Sequence, residues 1–248
     1  LVRSLVTESQ ARRPEALLLD LDDTLLDHRA IPENIRNTCE LVAAAFPAFD
    51  AAQLLEANTR AWAEYWPQVE KAAWLGGIEV ETVSREAWRR TLHDCGSDDA
   101  SIVEFTYERS AWLDRTTRRL YPDAAALLAY ADAIDLKLAL VTNGPSGLQR
   151  DRLRSLWLED MFKAVIVSAE VGMAKPDAGP FQLALEKLGV ETGEAWYIGD
   201  SLDTDIAGAL GAGLTAVWLN RNGRPRSSGD PRPDLEVGSL PEIVPLLR

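Results

Sequence analysis

The chain has 248 residues, 46% of them hydrophobic, with a formal net charge of -13 and a pI of about 4.7. Length alone allows one large domain, or a core with a smaller second domain, at roughly 100–200 residues each. The acidity, with no long basic run, argues against a nucleic-acid backbone or an anionic membrane surface as partner. Two cysteines, Cys39 and Cys95, are too few for a disulfide framework and sit in no CxxC or Cys/His cluster. They read as buried or inert thiols in a reducing, cytoplasmic setting. No apolar run approaches the ~18 residues of a membrane span. Residues 1–15 read as a polar lead-in without a signal-peptide core.

In chain order, "ALLLD" (residues 16–20) is a short continuous apolar run ending in a carboxylate, the pattern of a strand buried on both faces. Residues 28–120 change texture. "IPENIRNTCELVAAAF" puts Pro32 in a first helical turn. "AAQLLEANTRAWAEYW" and "SREAWRRTLHDCG" keep a helical period with no buried strand run. Trp62, Trp66, Trp74, Trp88 and Trp112, five of the 8 tryptophans, fall here. A structureless loop of that length is implausible. The expectation is an inserted helical domain, residues 29–119, set into a core of residues 15–28 and 120–248.

Beyond the insertion, apolar runs at 136–144, 163–168, 195–200 and 214–220 alternate with helical segments. Those segments follow Pro122, Pro145 and Pro176, the last closed by Gly189 as C-cap, and "DTDIAGALGAG" precedes the last run. The alternation predicts an α/β fold, a Rossmann-like three-layer core with a parallel sheet between helices. Residues 221–236, rich in Arg, Gly, Ser and Pro, read as an irregular surface segment, and "SLPEIVPLL" as a short closing helix.

In a parallel sheet all strand ends share one edge, and that edge holds the ligand crevice. It gathers Asp20, Asp22, Thr142, Lys175, Asp200 and Asp205 from distant positions. Buried carboxylates are costly unless paired or bound to a cation. An oxygen-only donor set without His or Cys favours magnesium over zinc. Lysine and threonine beside the cation suit a phosphate group. An Asp carboxylate can attack phosphorus, and a second Asp two residues on can act as general acid and then base.

These motifs together resemble the haloacid dehalogenase-like superfamily of hydrolases, phosphatase branch. "DLDDTL" (20–25) matches DxDx[TV]; "LVTNG" (140–144) matches a strand ending in Thr or Ser. "GMAKPD" (172–177) carries the Lys before Pro, and "IGDSLDTDIAGA" (198–209) matches GDxxxxD, all in the family's order. The resemblance implies that Asp20 attacks phosphorus and forms an aspartyl-phosphate. Asp22 would protonate the leaving oxygen and then activate water. Thr142 and Lys175 would hold phosphoryl oxygens, with Asn143 beside them. Magnesium would be held by Asp20, Asp200 and the backbone carbonyl of Asp22, supported by Asp205 and Ser201. Asp23 stands at a variable position and is expected to serve turn geometry. An insertion between the first two motifs would be a C1 cap closing over the site.

The implied activity is a magnesium-dependent phosphatase acting on a small phosphorylated metabolite, such as a nucleotide, sugar phosphate, phosphoglycolate or acyl-neuraminate phosphate. Nucleic acid and membrane are not expected as partners, and the expected state is a monomer or homodimer. The alternatives are a phosphomutase on the same fold and a non-catalytic small-ligand binding protein. Dehalogenation is disfavoured because dehalogenases of this family lack the acid carboxylate that Asp22 supplies. A phosphonate hydrolase would need a cap lysine, and nothing around Lys71 suggests that role. Trp62 and Trp66, at i,i+4, read first as bundle packing and second as a leaving-group pocket. His28 and Gln149 read as incidental, His28 in a loop and Gln149 at a helix start.

Overall fold

A computed structural model describes residues 13–247. The lead-in assigned to residues 1–15 therefore lies almost wholly outside the described residues. Strands β1 (Ala16–Leu19), β2 (Lys137–Thr142), β3 (Ala164–Val167), β4 (Ala195–Gly199), β5 (Thr215–Leu219) and β6 (Leu235–Val237) form one sheet. It is parallel throughout, in the order β3-β2-β1-β4-β5-β6. The order in which strands are added reverses between β1 and β4, running outward to β2 and β3 on one side and to β5 and β6 on the other. This is the switch point where the crevice of an open α/β sheet opens.

Successive strand side chains point to opposite faces, and both faces are covered. Leu17, Leu19, Leu140 and Ile198 pack with Leu127 and Leu128, on the helix Pro122–Ala133, and with Ile243 near the C-terminus. Leu18, Val141, Ile166 and Tyr197 pack on the other face around Phe181. Burial on both sides is why these strands read as unbroken apolar runs rather than as alternating ones.

Helices α1 (Ile31–Ala45), α2 (Ala51–Trp74), α3 (Val80–Asp94) and α4 (Ala100–Thr117) all fall between β1 and β2. Asp50 and Asp99 cap α2 and α4 by accepting from Gln53 N and Ser101 N, and Pro32 lies in the first turn of α1. Cys39, Val42, Leu54, Trp88 and Leu92 form a separate apolar cluster inside this helical insertion. Helix α2 continues through Pro67 to Trp74, further than its leading period suggested. The two ends of the insertion are tied together. Asp27 N donates to Arg119 O at 3.0 Å, and Arg119 Nε donates to the Asp27 carboxylate at 3.1 Å.

After the insertion come α5 (Pro122–Ala133), α6 (Ser146–Ser155), the single turn α7 (Ser168–Val171), α8 (Gly179–Leu188) and α9 (Ala207–Gly211). Gly189 closes α8 in the left-handed conformation, as its position predicted. Two departures fall at the C-terminal end. The segment 221–236 is not irregular throughout, because its last two residues, Leu235 and Glu236, open strand β6 and pair with β5, with Leu235 turned into the core. The closing helix Leu240–Leu247 is 3-10, with Pro245 inside it. No helix among the described residues is long and apolar enough to cross a membrane.

Candidate active site

The carboxyl ends of β1, β2 and β4 and the loop after α7 bring the sequence-selected residues together. Asp20 follows β1 and extends its pairing, its N–H reaching Ile198 O at 3.0 Å. Lys175 Nζ lies 2.6 Å from Asp20 Oδ1, 2.6 Å from Asp205 Oδ1 and 2.9 Å from the Tyr197 hydroxyl. All four side chains are buried. Burial disfavours the Lys175 charge, but the two carboxylates outweigh it and hold the ammonium firmly protonated. Burial pushes the Asp20 carboxyl well up, against the pull of Lys175, and Asp205, Asp22 and Asp200 push it further.

Asp205 is fixed by three donors. Oδ1 receives Lys175 and Tyr197 at 2.9 Å, and Oδ2 receives Ser201 N at 3.0 Å. It sits in a single π-helical turn, Leu202–Ile206, capped by Ser201, the kind of irregular turn that recurs at functional sites. A Cβ on Gly199 would overlap the Asp205 carboxyl, so the motif's Gly is required by packing. Among the described residues no other residue donates a hydrogen bond to the Asp200 carboxyl. Burial, then Asp205 and Asp23, push its carboxyl up to about 7.

Oxygen atoms of Asp20, Asp200 and Asp205 lie within 4.8 Å of one another. Both Asp205 oxygens are engaged, which leaves Asp200 and the second Asp20 oxygen as open donors. Hard oxygen donors raised by mutual repulsion fit a magnesium ion.

Asn143 is turned away from this cluster. Its amide donates to Lys175 O and accepts from Lys175 N, both at 2.9 Å, so it holds the loop that presents the lysine. Asp23 adopts positive φ (58°), consistent with a turn role.

Three side chains around Asp22 had no separate signal in the sequence. Gln149 Nε2 donates to Asp22 Oδ2 at 2.8 Å and to Thr142 Oγ1 at 2.7 Å. Arg152 Nη1 donates to Asp22 Oδ1 at 2.7 Å and to Gln149 Oε1 at 2.9 Å. His28 Nε2 lies 3.1 Å from the same Asp22 oxygen. Burial alone would raise Asp22, but Arg152 outweighs it, helped by His28 and Gln149, and the carboxyl lies well below the usual range. Burial would likewise lower His28, yet Asp22 and Asp23 lift it to about 9. Gln149 and Arg152 are three apart on α6 and share one face. That spacing was the only sequence signal available, and it gained meaning once α6 was seen to start at the second motif.

A cleft of about 800 Å³ runs between the helical insertion and α6. Trp62, Trp88 and Tyr107 line it together with Arg115, Arg152 and Arg154. The volume suits a small metabolite.

A family model described as haloacid dehalogenase-like hydrolase matches residues 14–213. The chain belongs to the haloacid dehalogenase-like hydrolases. It is 37% identical to a phosphoserine phosphatase of Thermus thermophilus, over 92% of this chain and 96% of that protein. It is 31% identical to the N-acylneuraminate-9-phosphatase of Mus musculus, over 68% of this chain and 69% of the relative. Among solved structures it is similar to the HAD-hydrolase YfnB of Bacillus subtilis bound to magnesium. That match has a TM-score of 0.70 and 26% identity, covering 96% of this chain and 100% of the other.

Proposed function

We propose that this hydrolase is a magnesium-dependent phosphatase of a small phosphomonoester, working through an aspartyl-phosphate on Asp20, with residues 29–119 as its cap domain. The observation that carries the reading is the buried Asp20–Lys175–Asp205 triad beside the open carboxylate Asp200. It supports the reading because a buried carboxylate, an ammonium and open oxygen donors stand at one point. Asp20, Asp200 and the main chain of Asp22 would hold magnesium, which when bound neutralises charge on the phosphoryl oxygens and on the carboxylates around them.

Asp22 stands as a carboxylate before the reaction, so the proton enters with the ester as its phosphate monoanion and passes to Asp22. Asp20 attacks phosphorus, the bond to the leaving oxygen breaks, and Asp22 gives that oxygen the proton. Asp22, now a carboxylate held by Gln149 and Arg152, takes a proton from water as the water attacks phosphorus and Asp20 departs. Thr142 accepts from Gln149 at 2.7 Å and its O–H makes only a long 3.5 Å contact to Asn143 O, which a phosphoryl oxygen would replace. Positioning and charge carry most of the catalysis in such transfers. The whole-length similarity to a phosphoserine phosphatase makes phosphoserine the first ester to assay. The two free cysteines support a reducing, cytoplasmic setting.

Rapid acid quenching during turnover tests the covalent step. Phosphate bound to the Asp20 peptide is expected. A chain that turns over rapidly with no trapped phosphoenzyme, although breakdown of the intermediate limits the rate, contradicts it.

A further inference from the structure

We propose that the ester hydrolysed here carries a second anionic group on its leaving side, received by the arginines of the cleft between the insertion and α6. The inference rests on the phosphatase reading and names its substrate class. The chain carries a net charge of -13, yet this cleft is lined by Arg115, Arg118, Arg152 and Arg154. Two of the three acidic residues in its wall are spent. Asp114 and Asp151 both bind Arg118, at 2.7 and 2.6 Å, leaving that guanidinium 6% exposed and neutralised. The third, Glu81, has no ion pair among the described residues and leaves one negative charge against the arginines, since nearby Arg85 is bound by Glu104 at 2.8 Å.

Arg115 and Arg154 have no carboxylate partner among the described residues. Arg152 uses Nη1 on Asp22 and Gln149, while its Nε is buried without a hydrogen-bond partner. A buried unmet donor is costly and calls for an explanation. The transferring phosphoryl group does not provide one, because it is placed by Lys175 and the carboxylates Asp20, Asp200 and Asp205, none of which lines this cleft. Arg152 touches the acid that protonates the leaving oxygen, so whatever lies against it belongs to the leaving group. The guanidinium fork matches a carboxylate or a phosphate. Trp62 and Trp88 offer an apolar wall to the carbon skeleton between the two anions.

Paired esters test this: phosphoserine against phosphoethanolamine, which lacks only the carboxylate, and fructose 1,6-bisphosphate against fructose 6-phosphate. Wild-type kcat/KM is expected to favour the anionic member of at least one pair by about tenfold or more, roughly 1.4 kcal/mol. Which pair responds separates a carboxylate from a second phosphate. Arg115 and Arg154 are exposed and unpaired, so the double variant Arg115→Gln/Arg154→Gln keeps the fold, and its ratio is expected to fall towards one. A wild-type ratio near one in both pairs overturns the proposal, as does a high ratio that the double variant leaves unchanged.

Calorimetry with 2-amino-4-phosphonobutyrate and 3-aminopropylphosphonate asks the same question without turnover. Tighter binding of the carboxylated phosphonate, lost in the double variant, supports the cleft assignment even if no ester is hydrolysed. Absence of hydrolysis alone would instead sink the phosphatase reading. Equal binding of the two phosphonates overturns the assignment.

Discussion

Replacing Lys175 with methionine keeps the length of the side chain and removes its charge. In the native protein one ammonium serves two carboxylates, each at 2.6 Å, and a tyrosine hydroxyl at 2.9 Å. Lys175, Asp20 and Asp205 have side-chain exposures of 3%, 7% and 2%. The variant would leave two carboxylates buried, close together and unpaired. Breaking a buried ion pair from one side costs about 3–5 kcal/mol. For a chain of this size that is a fall in Tm of roughly 6–20 °C.

The loss should depend on pH in a definite direction. Asp20 already has a native carboxyl raised above its ordinary value of 3.8, and removal of Lys175 takes away the main influence lowering it. A raised native value means the folded state binds the proton more tightly. The variant's stability is therefore greatest below about pH 4 and falls as pH rises through the native value. Thermal melts of wild type and Lys175→Met at pH 5 and pH 8, in chelator, measure this. The gap should be wider at pH 8, and added magnesium should narrow it by binding only the folded site. A variant that melts within about 2 °C of wild type at pH 8 would refute the reasoning, because the effect expected of a buried pair is larger.

Three further outcomes are expected. Gln149→Leu removes a buried donor from both Asp22 and Thr142. It should lower kcat/KM for an alkyl phosphate by about 100-fold, in the range of general acid catalysis, and much less for nitrophenyl phosphate, whose leaving group needs no proton. Equal losses on both esters would reduce Gln149 to a packing role. Asp27→Ala removes a cap that accepts from Arg29 N at 3.0 Å and pairs with Arg119, and should cost about 1–2 kcal/mol at pH 7. Hydrogen bonds from Arg29 hold this carboxyl below its ordinary 3.8. Its contribution is therefore present above about pH 4 and lost as pH falls through the lower native value; a cost that persists unchanged at pH 2 would contradict that origin. Trp62→Ala should raise KM for substrate, since Trp62 lines the cleft. Trp66→Ala should chiefly lower stability, by about 1 kcal/mol, because Trp66 packs in the insertion and donates to Glu70 at 2.9 Å. Reversal of these two effects would exchange their roles.

That Asp20, Lys175, Asp200 and Asp205 come together was legible because each stands at a fixed offset from an apolar strand or a proline, which survives in one dimension. Strand direction then brought Asp20, Lys175 and Asp200 to one edge. What could not be read depends on side-chain direction. Gln149 looks like any polar residue opening a helix, and only the approach of α6 to β1 points it at Asp22. Asn143 sits beside Thr142 in the motif yet faces the lysine loop, since successive residues leaving a strand diverge. Leu235 and Val237 were hidden among Pro, Gly and Arg, and a three-residue edge strand has too short a period to stand out. His28 reads as a loop residue in the sequence, although the 3-10 turn His28–Ala30 capped by Asp27 fixes it against Asp22.

The most direct test is inorganic phosphate release from phosphoserine and a panel of other phosphomonoesters. It should be run with magnesium and with chelator, on wild type and Asp20→Asn side by side. Release that needs both the metal and Asp20 is the predicted result. Release by Asp20→Asn at the wild-type rate, or release indifferent to chelator, would contradict a metal-assisted aspartyl nucleophile.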